Sequence, residues 1–393
     1  MRQAGADVLS LALIDARNRT LRWLTAFDGA TLGAAPGGSD PPWWLAGQAG
    51  WFQEFWIARH LQRSRGEASD AAGLRLASID SQADELFDPG CSSRRSRWAR
   101  PAPDSGHLRA YLEATLEATL ELLDKVDGSD DDLYFFRLAL LHEDRLDESL
   151  AVLAQSVGLD PQRQAGLWPE LAMQGRREPL WFRAQRLLLG SPAGGLVPDN
   201  EKWTHEVSLQ EFEIDAQPLS WAQFAEFAAD AGYDERRWWS PEGWAWVEAG
   251  ARRAPRYVEQ LAGGVLLQRQ GRLQRVPGNQ TALHLSWYEA DAWCRWAGRR
   301  LPTEAEWLLA AQHARSRGFA WGDVFEWVAG SARGYPGHRD GPARLDALPA
   351  QPGCRVLRGA SFVSAPRLAH AQARRFAHAE RDDLFCGLRS CAI

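Results

Sequence analysis

Along the first half of the chain the apolar residues recur every three to four places: around Leu9, Leu13, Leu24 and Phe27, then through Trp44–Leu61, Leu108–Leu123 and Leu133–Val157. That period puts them on one face of a helix, and it predicts four long amphipathic helices. Asp40 followed by Pro41 reads as the start of the second, which should close near Gly66. Ser129 with Asp130–Asp132 suits the start of the fourth, and Gly158 its end. The stretch from Gly66 to Pro103, with its run Ser92-Ser93-Arg94-Arg95-Ser96, reads as a long crossover loop. A four-helix bundle with one long connection is the economical fold. From about Gly175 the pattern shortens. Val207, Leu209, Phe212 and Ile214 alternate as in a strand, Ser220 and Gln223 form a capping box, a helix follows His284-Leu-Ser and runs to Gly298, Thr303 and Glu306 cap another, and Arg355–Leu357 reads as a strand. This half is α+β and loop-rich.

The chain has 393 residues, enough for two or three domains at about 150 residues each. Its apolar and charged fractions, 45% and 24%, are those of an ordinary globular protein. Thirteen of its 20 tryptophans lie between Trp181 and Trp327, where a domain short of regular structure needs bulky side chains to build a core. Of 45 basic residues only Lys125 and Lys202 are lysines. The arginines are interspersed with acids at a net charge of −6, which argues against a nucleic-acid surface and for a genome-composition effect. Five cysteines without metal-type spacing point to a reducing, cytoplasmic setting. Val8–Ile14 is too brief and too closely flanked by Asp7 and Asp15 for a leader or a membrane span.

Two positions in the helical half invite chemistry. Gln48 shares a helix face with Trp51, Phe52 and Phe55 and is bracketed by Gly47 and Gly50, which suggests close approach by another group. His142 lies on the stripe Phe135, Leu138, Leu146, Leu150. A metal-binding histidine pair on one helix face would occupy i and i+4, but here i+4 is Leu146, so the residues alone favour a packed, hydrogen-bonded histidine.

The passages "SWYEADAWCRWAGRRLPTEAEWLLAA", "FAWGDVFEWVAGS", "VLRGASF" and "FCGLRSCAI" resemble the formylglycine-generating-enzyme-like domain, a C-type-lectin-related fold, over residues 175–393. Residues 1–165 resemble a DinB-like four-helix bundle. In this order they resemble the EgtB family of non-haem iron sulfoxide synthases, and "FAWGDVFEW" with the "ERDD…GLRSCA" ending looks closest to its selenoneine-synthase branch.

The resemblance implies oxidative C–S or C–Se bond formation on a histidine betaine, with a thiol or selenol donor and Fe(II) held by three histidines. Those ligand positions fall on Gln48, His142 and Leu146, so one histidine of three is retained. It also places Arg145, Arg374, Arg375 and Phe376 at the substrate pocket, with Arg375 where the family carries asparagine. No tyrosine occupies Pro336–Gly353, where the family draws a proton donor, and Cys386 and Cys391 do not fall where formylglycine-type copper chemistry would need them. Three readings follow: a degenerate member acting as a binding or partner protein; an oxygenase with a rearranged site drawing on Gln48, Asp147, Glu148, His338, His370 or His378; and an interaction scaffold using Trp43-Trp44 or Trp238-Trp239.

Overall fold

The structure is a computed structural model, and it describes the chain apart from residues 31, 33–37, 161–165, 172, 176, 350 and 351. The expected limit of the helical half at residue 165 lies outside the described residues. That half contains α1 (Ala6–Phe27), α2 (Pro42–Gln53), α3 (Ala83–Phe87), α4 (Arg94–Ala99), α5 (Ser105–Leu123) and α6 (Asp130–Val157). Helices α1, α2, α5 and α6 pack against one another as the expected bundle. Ser129 caps α6 by accepting from the Asp132 amide at 3.2 Å, and Gly158 ends it at φ 64°, a left-handed conformation that suits glycine.

Three expectations change. Helix α2 is preceded by Pro41, because Asp40 is turned away to accept from Arg97 at 3.0 Å. It ends in a π-helical turn, Glu54–Ala58, well before Gly66. Beyond it Arg59 and His60 pair with Leu76 and Arg75 in a short antiparallel bridge, which takes the backbone out of helix. The crossover segment is itself partly helical, containing α3 and α4. The glycines of α2 serve that packing: a Cβ on Gly47 would lie 2.1 Å from the Phe87 ring of α3, and one on Gly50 would lie 3.0 Å from Leu112 of α5.

Inside the bundle, Glu143 of α6 is fully buried and accepts four hydrogen bonds from three side chains. Arg17 donates to it at 2.7 and 3.2 Å, Thr20 at 2.9 Å and Gln53 at 2.9 Å, tying α1 and α2 to α6. A buried carboxylate opposite a buried guanidinium is tolerated because its hydrogen bonds are filled.

The C-terminal half comprises β1 (Leu180–Phe182), β2 (Gln185–Leu189), β3 (His205–Leu209), β4 (Phe212–Ile214), α7 (Trp221–Ala229), α8 (Pro241–Ala249), β5 (Val258–Gln260), β6 (Val265–Arg269), β7 (Arg272–Val276), α9 (Trp287–Trp296), α10 (Glu304–His313), β8 (Phe325–Ser331), β9 (Cys354–Arg358), β10 (Arg374–His378) and β11 (Cys386–Leu388). The main sheet runs β10-β9-β8-β11, antiparallel except for the parallel β11–β8 pair. The expected alternation from Val207 to Ile214 is two strands, β3 pairing β2 and β4 pairing β1. Capping boxes at Ser220, Ser286 and Thr303 start α7, α9 and α10. Trp221, Trp239, Trp287, Trp293, Trp307 and Trp327 are buried in the cores of this half. The tryptophan pairs considered as a partner surface do not form one: Trp44 and Trp239 are buried, and Trp43 and Trp238 pack on the cores.

The halves are tied together at several points. Arg367 bridges Asp15 of α1 and Asp144 of α6, at 2.6 Å to each. At the far end of α6 the side chain of Gln155 donates to the Gln268 carbonyl at 2.7 Å and accepts from the Gln270 amide at 3.1 Å, clasping the β6–β7 hairpin. Gly271 in that hairpin, at φ 71°, lies so close to Gly158 that a Cβ there would be 2.4 Å from the Gly158 carbonyl oxygen. Among the described residues no helix is long and apolar enough to cross a membrane.

Candidate functional site

Helix α6 faces the C-terminal half with a row of polar residues, and two cavities open between them. The first is about 410 Å³, enclosed by α6 residues Leu140, Leu141, Asp144, Arg145 and Glu148 and by segments around Phe325 and Ser364–Arg375. The second is about 360 Å³ and is more aromatic, with Trp44, Leu146, Phe376 and Phe385 in its walls. They share Arg145, Glu148, Phe325 and Arg375, which form the partition between them.

The partition is ionic. Arg375 pairs with Glu148 across the cleft and lies 4.9 Å from the Phe325 ring centroid. Arg145 pairs with Asp346. Strand alternation explains why the adjacent Arg374 behaves differently, since successive side chains of β10 point to opposite faces. Its guanidinium is fully buried, donates to Glu304 at 2.6 and 2.9 Å and to the Asn200 carbonyl at 2.8 Å, and covers the Tyr335 ring at 4.0 Å. Of the four expected substrate-pocket residues, Arg145 and Arg375 border both cavities, Phe376 only the second, and Arg374 reaches the first with its donors already engaged. Tyr335, just ahead of the tyrosine-free loop, donates to Glu304 at 2.9 Å and is committed there.

The three positions where the resemblance places metal ligands do converge, but as a packed group. The His142 ring stacks on Phe52 at 4.1 Å between centroids, and its Nε2–H donates to Gln48 Oε1. Burial, reinforced by the nearby Arg145 charge, pulls the imidazole down to about 3. Its neutral form is the one favoured there. Leu146 is buried and offers the second cavity an apolar wall. One imidazole, an amide and an isobutyl group do not make the three-histidine iron site, since the amide is a weak ligand and the isobutyl group offers no lone pair.

The substitute ligands are placed elsewhere. Asp147 turns toward α1, accepting from Thr20 at 3.1 Å and lying 3.6 Å from Arg19, and burial pushes its carboxyl well up. His338 bonds the Asp199 carbonyl at 3.0 Å and Asp340 at 3.2 Å. His370 borders the first cavity 3.5 Å from Glu201, with its imidazole lowered chiefly by burial. His378 pairs with Cys354 at the end of β10. Glu148 does reach the cleft, but to meet Arg375. Among the described residues no group of three or more His, Cys, Asp or Glu side chains is gathered as a metal site. Cys386 and Cys391 are buried, and burial raises both thiols.

Sequence reasoning missed Asp346, Glu201 and Phe325 as cleft residues, and it offered Glu148 only as a substitute metal ligand. The readable signal was Arg145 and Glu148 themselves, three apart and so adjacent on a helix.

Comparison with known proteins agrees with this architecture. Residues 185–323 match the sulfatase-modifying factor enzyme 1-like domain. The chain is 30% identical to hercynine oxygenase of Mycolicibacterium smegmatis over 446 aligned positions, covering 99% of this chain and 98% of that one. It is 27% identical to hercynine oxygenase of Mycobacterium tuberculosis, covering 98% of each. A formylglycine-generating enzyme of Streptomyces coelicolor is 35% identical over 147 positions, 34% of this chain and 45% of that one. The chain belongs to the EgtB-like family, to which the hercynine oxygenases also belong.

Proposed function

We propose that this chain is a degenerate member of its family, a small-molecule-binding protein that keeps the cleft between a DinB-like bundle (residues 1–165) and a formylglycine-generating-enzyme-like domain (residues 175–393) without the iron chemistry of sulfoxide or selenoxide synthesis. The observation that carries this is the Gln48–His142 hydrogen bond with Leu146 beside it, which turns the expected ligand positions into a closed, partly apolar contact. The changes at Arg375 and in the tyrosine-free loop belong to the same reading: the substrate wall and the proton donor depart from the family together with the ligands. Within the family we place the chain nearest the selenoneine-synthase branch, on the "FAWGDVFEW" and "GLRSCA" passages. A histidine betaine and a thiol or selenol donor are the ancestral ligands, and the cytoplasm is the setting that the unpaired cysteines favour.

The test is iron content after anaerobic loading with Fe(II) and desalting. Less than about 0.1 iron per chain is expected, because one neutral imidazole does not hold a catalytic metal. Near-stoichiometric iron would overturn the proposal and favour a rearranged oxygenase.

A further inference from the structure

The partition between the cavities contains buried polar atoms without partners of their own. Apart from the ion pair with Arg375, neither oxygen of Glu148 accepts a hydrogen bond, and Arg145 Nε donates none. Glu148 is 5% exposed and, like Arg145, borders both cavities. The two are three residues apart on α6, so a carboxylate held by Arg375 alone and an Arg145 Nε–H with no acceptor lie side by side on one helix face. Buried groups of this kind are costly unless something fills them. A ligand with an N–H-bearing cation next to a carboxylate matches the pair.

A quaternary ammonium matches it poorly. It has no N–H to give Glu148, and its usual recognition is by aromatic faces. Here three of the wall rings already carry an arginine: Arg375 at 4.9 Å from the Phe325 ring, Arg97 at 3.7 Å from Trp44 and Arg374 at 4.8 Å from Phe376, and the Phe385 ring packs on Phe362, His284 and Trp168. The remaining walls of the first cavity combine aliphatic residues, including Leu140, Leu141, Leu196, Pro198 and Leu368, with charged ones engaged by partners of their own, such as Arg367 with Asp144 and Arg374 with Glu304.

Resting on the reading of the cleft as a binding site, we infer that it takes a free α-amino acid with an apolar side chain, the ammonium on Glu148 and the carboxylate on Arg145, and discriminates against the N-trimethylated betaine. Arg375, which closes on Glu148 in the structure, swings toward the ligand carboxylate when the ammonium takes its place. The site is therefore specific for the unmethylated amine.

Calorimetric titration of the full chain with L-leucine, its N-trimethyl betaine, 4-methylpentanoate and the histidine betaine tests this. Leucine should bind at least about tenfold more tightly than each of the other three, since losing the N–H donors leaves a buried carboxylate unfilled. E148Q should weaken leucine binding at least about tenfold while leaving the betaines unchanged. Either betaine binding as tightly as leucine, no binding of leucine, or a full-affinity E148Q would overturn the inference. Should E148Q fail to fold, the four-ligand comparison on the parent chain decides. Iron content is measured separately, so an iron-loaded chain that still prefers leucine refutes the loss of metal chemistry and leaves the amine preference standing.

Discussion

Glu143 follows His142 directly in the sequence, and its removal is a sharp test of how α6 is held. The side chain accepts four hydrogen bonds, two of them from Arg17, which is itself 1% exposed. In E143L the Arg17 guanidinium keeps only the Leu112 carbonyl and Thr115 as partners. Removing one partner of a buried pair strands the other charge and costs about 3–5 kcal/mol, whereas replacing both by apolar residues is often neutral. The single variant E143L should therefore lose about 3–5 kcal/mol in urea unfolding followed by far-UV circular dichroism. The double variant with R17L and E143L should recover most of that loss. Thr20 can turn its one hydroxyl proton to Asp147, but the Gln53 amide loses its acceptor, and that loss of roughly 1 kcal/mol remains in the double variant and sets the shortfall from full recovery. If E143L loses less than about 1 kcal/mol, or if the double variant is less stable than the single, the account of Glu143 as the tie between α1, α2 and α6 is wrong.

Three further outcomes are expected. Joint Q48H and L146H substitution should raise bound iron toward one per chain, while either alone should not, because each leaves one ligand position unable to donate; equal iron in parent and double variant would refute this. Burial holds the His284 imidazole down at about 4, so its folded value lies below the unfolded value near 6.5 and its neutral form is the one that stabilises; stability should fall as pH drops through 6.5 toward 4, by up to about 2 kcal/mol at pH 5, and urea midpoints should show a shallower loss in H284Q. G47A should destabilise by about 1–3 kcal/mol through its clash with Phe87, and F87L should relieve part of it; a melting temperature unchanged in G47A would refute the close packing of α3 on α2.

Much of the fold was legible because periodicity and capping are local. The four bundle helices, the Gly158 stop and the capping boxes at Ser220 and Thr303 followed from spacing alone. The end of α2 did not, since the turn at Arg59 is made by pairing with Arg75 and Leu76, residues whose own pattern shows no strand. The site was half legible. His142, Gln48 and Leu146 could be singled out from helical position, but that Gln48 would fill the histidine's bond depends on two helices meeting. Asp346 and Phe325 come to Arg145 and Arg375 from loops and strands far along the chain, and no short-range pattern reports such meetings. The paired arginines of β10 illustrate the limit: alternation says that they diverge, and only Glu304 and Glu148 say which one faces the cleft.

The clasp between Gln155 and the β6–β7 hairpin bears on what the cleft can admit. Gln155 stands ten residues beyond Arg145, about 15 Å along the helix axis. With the hairpin fastened there and Arg367 fastened at Asp144, α6 is pinned to the opposite half on both sides of the partition. A lever held at two points along its length does not open by tilting. For the proposed binding role this means selection by fit rather than by opening, and enlarging the residue at Gly271 should change which sizes are accepted by prising the far support apart.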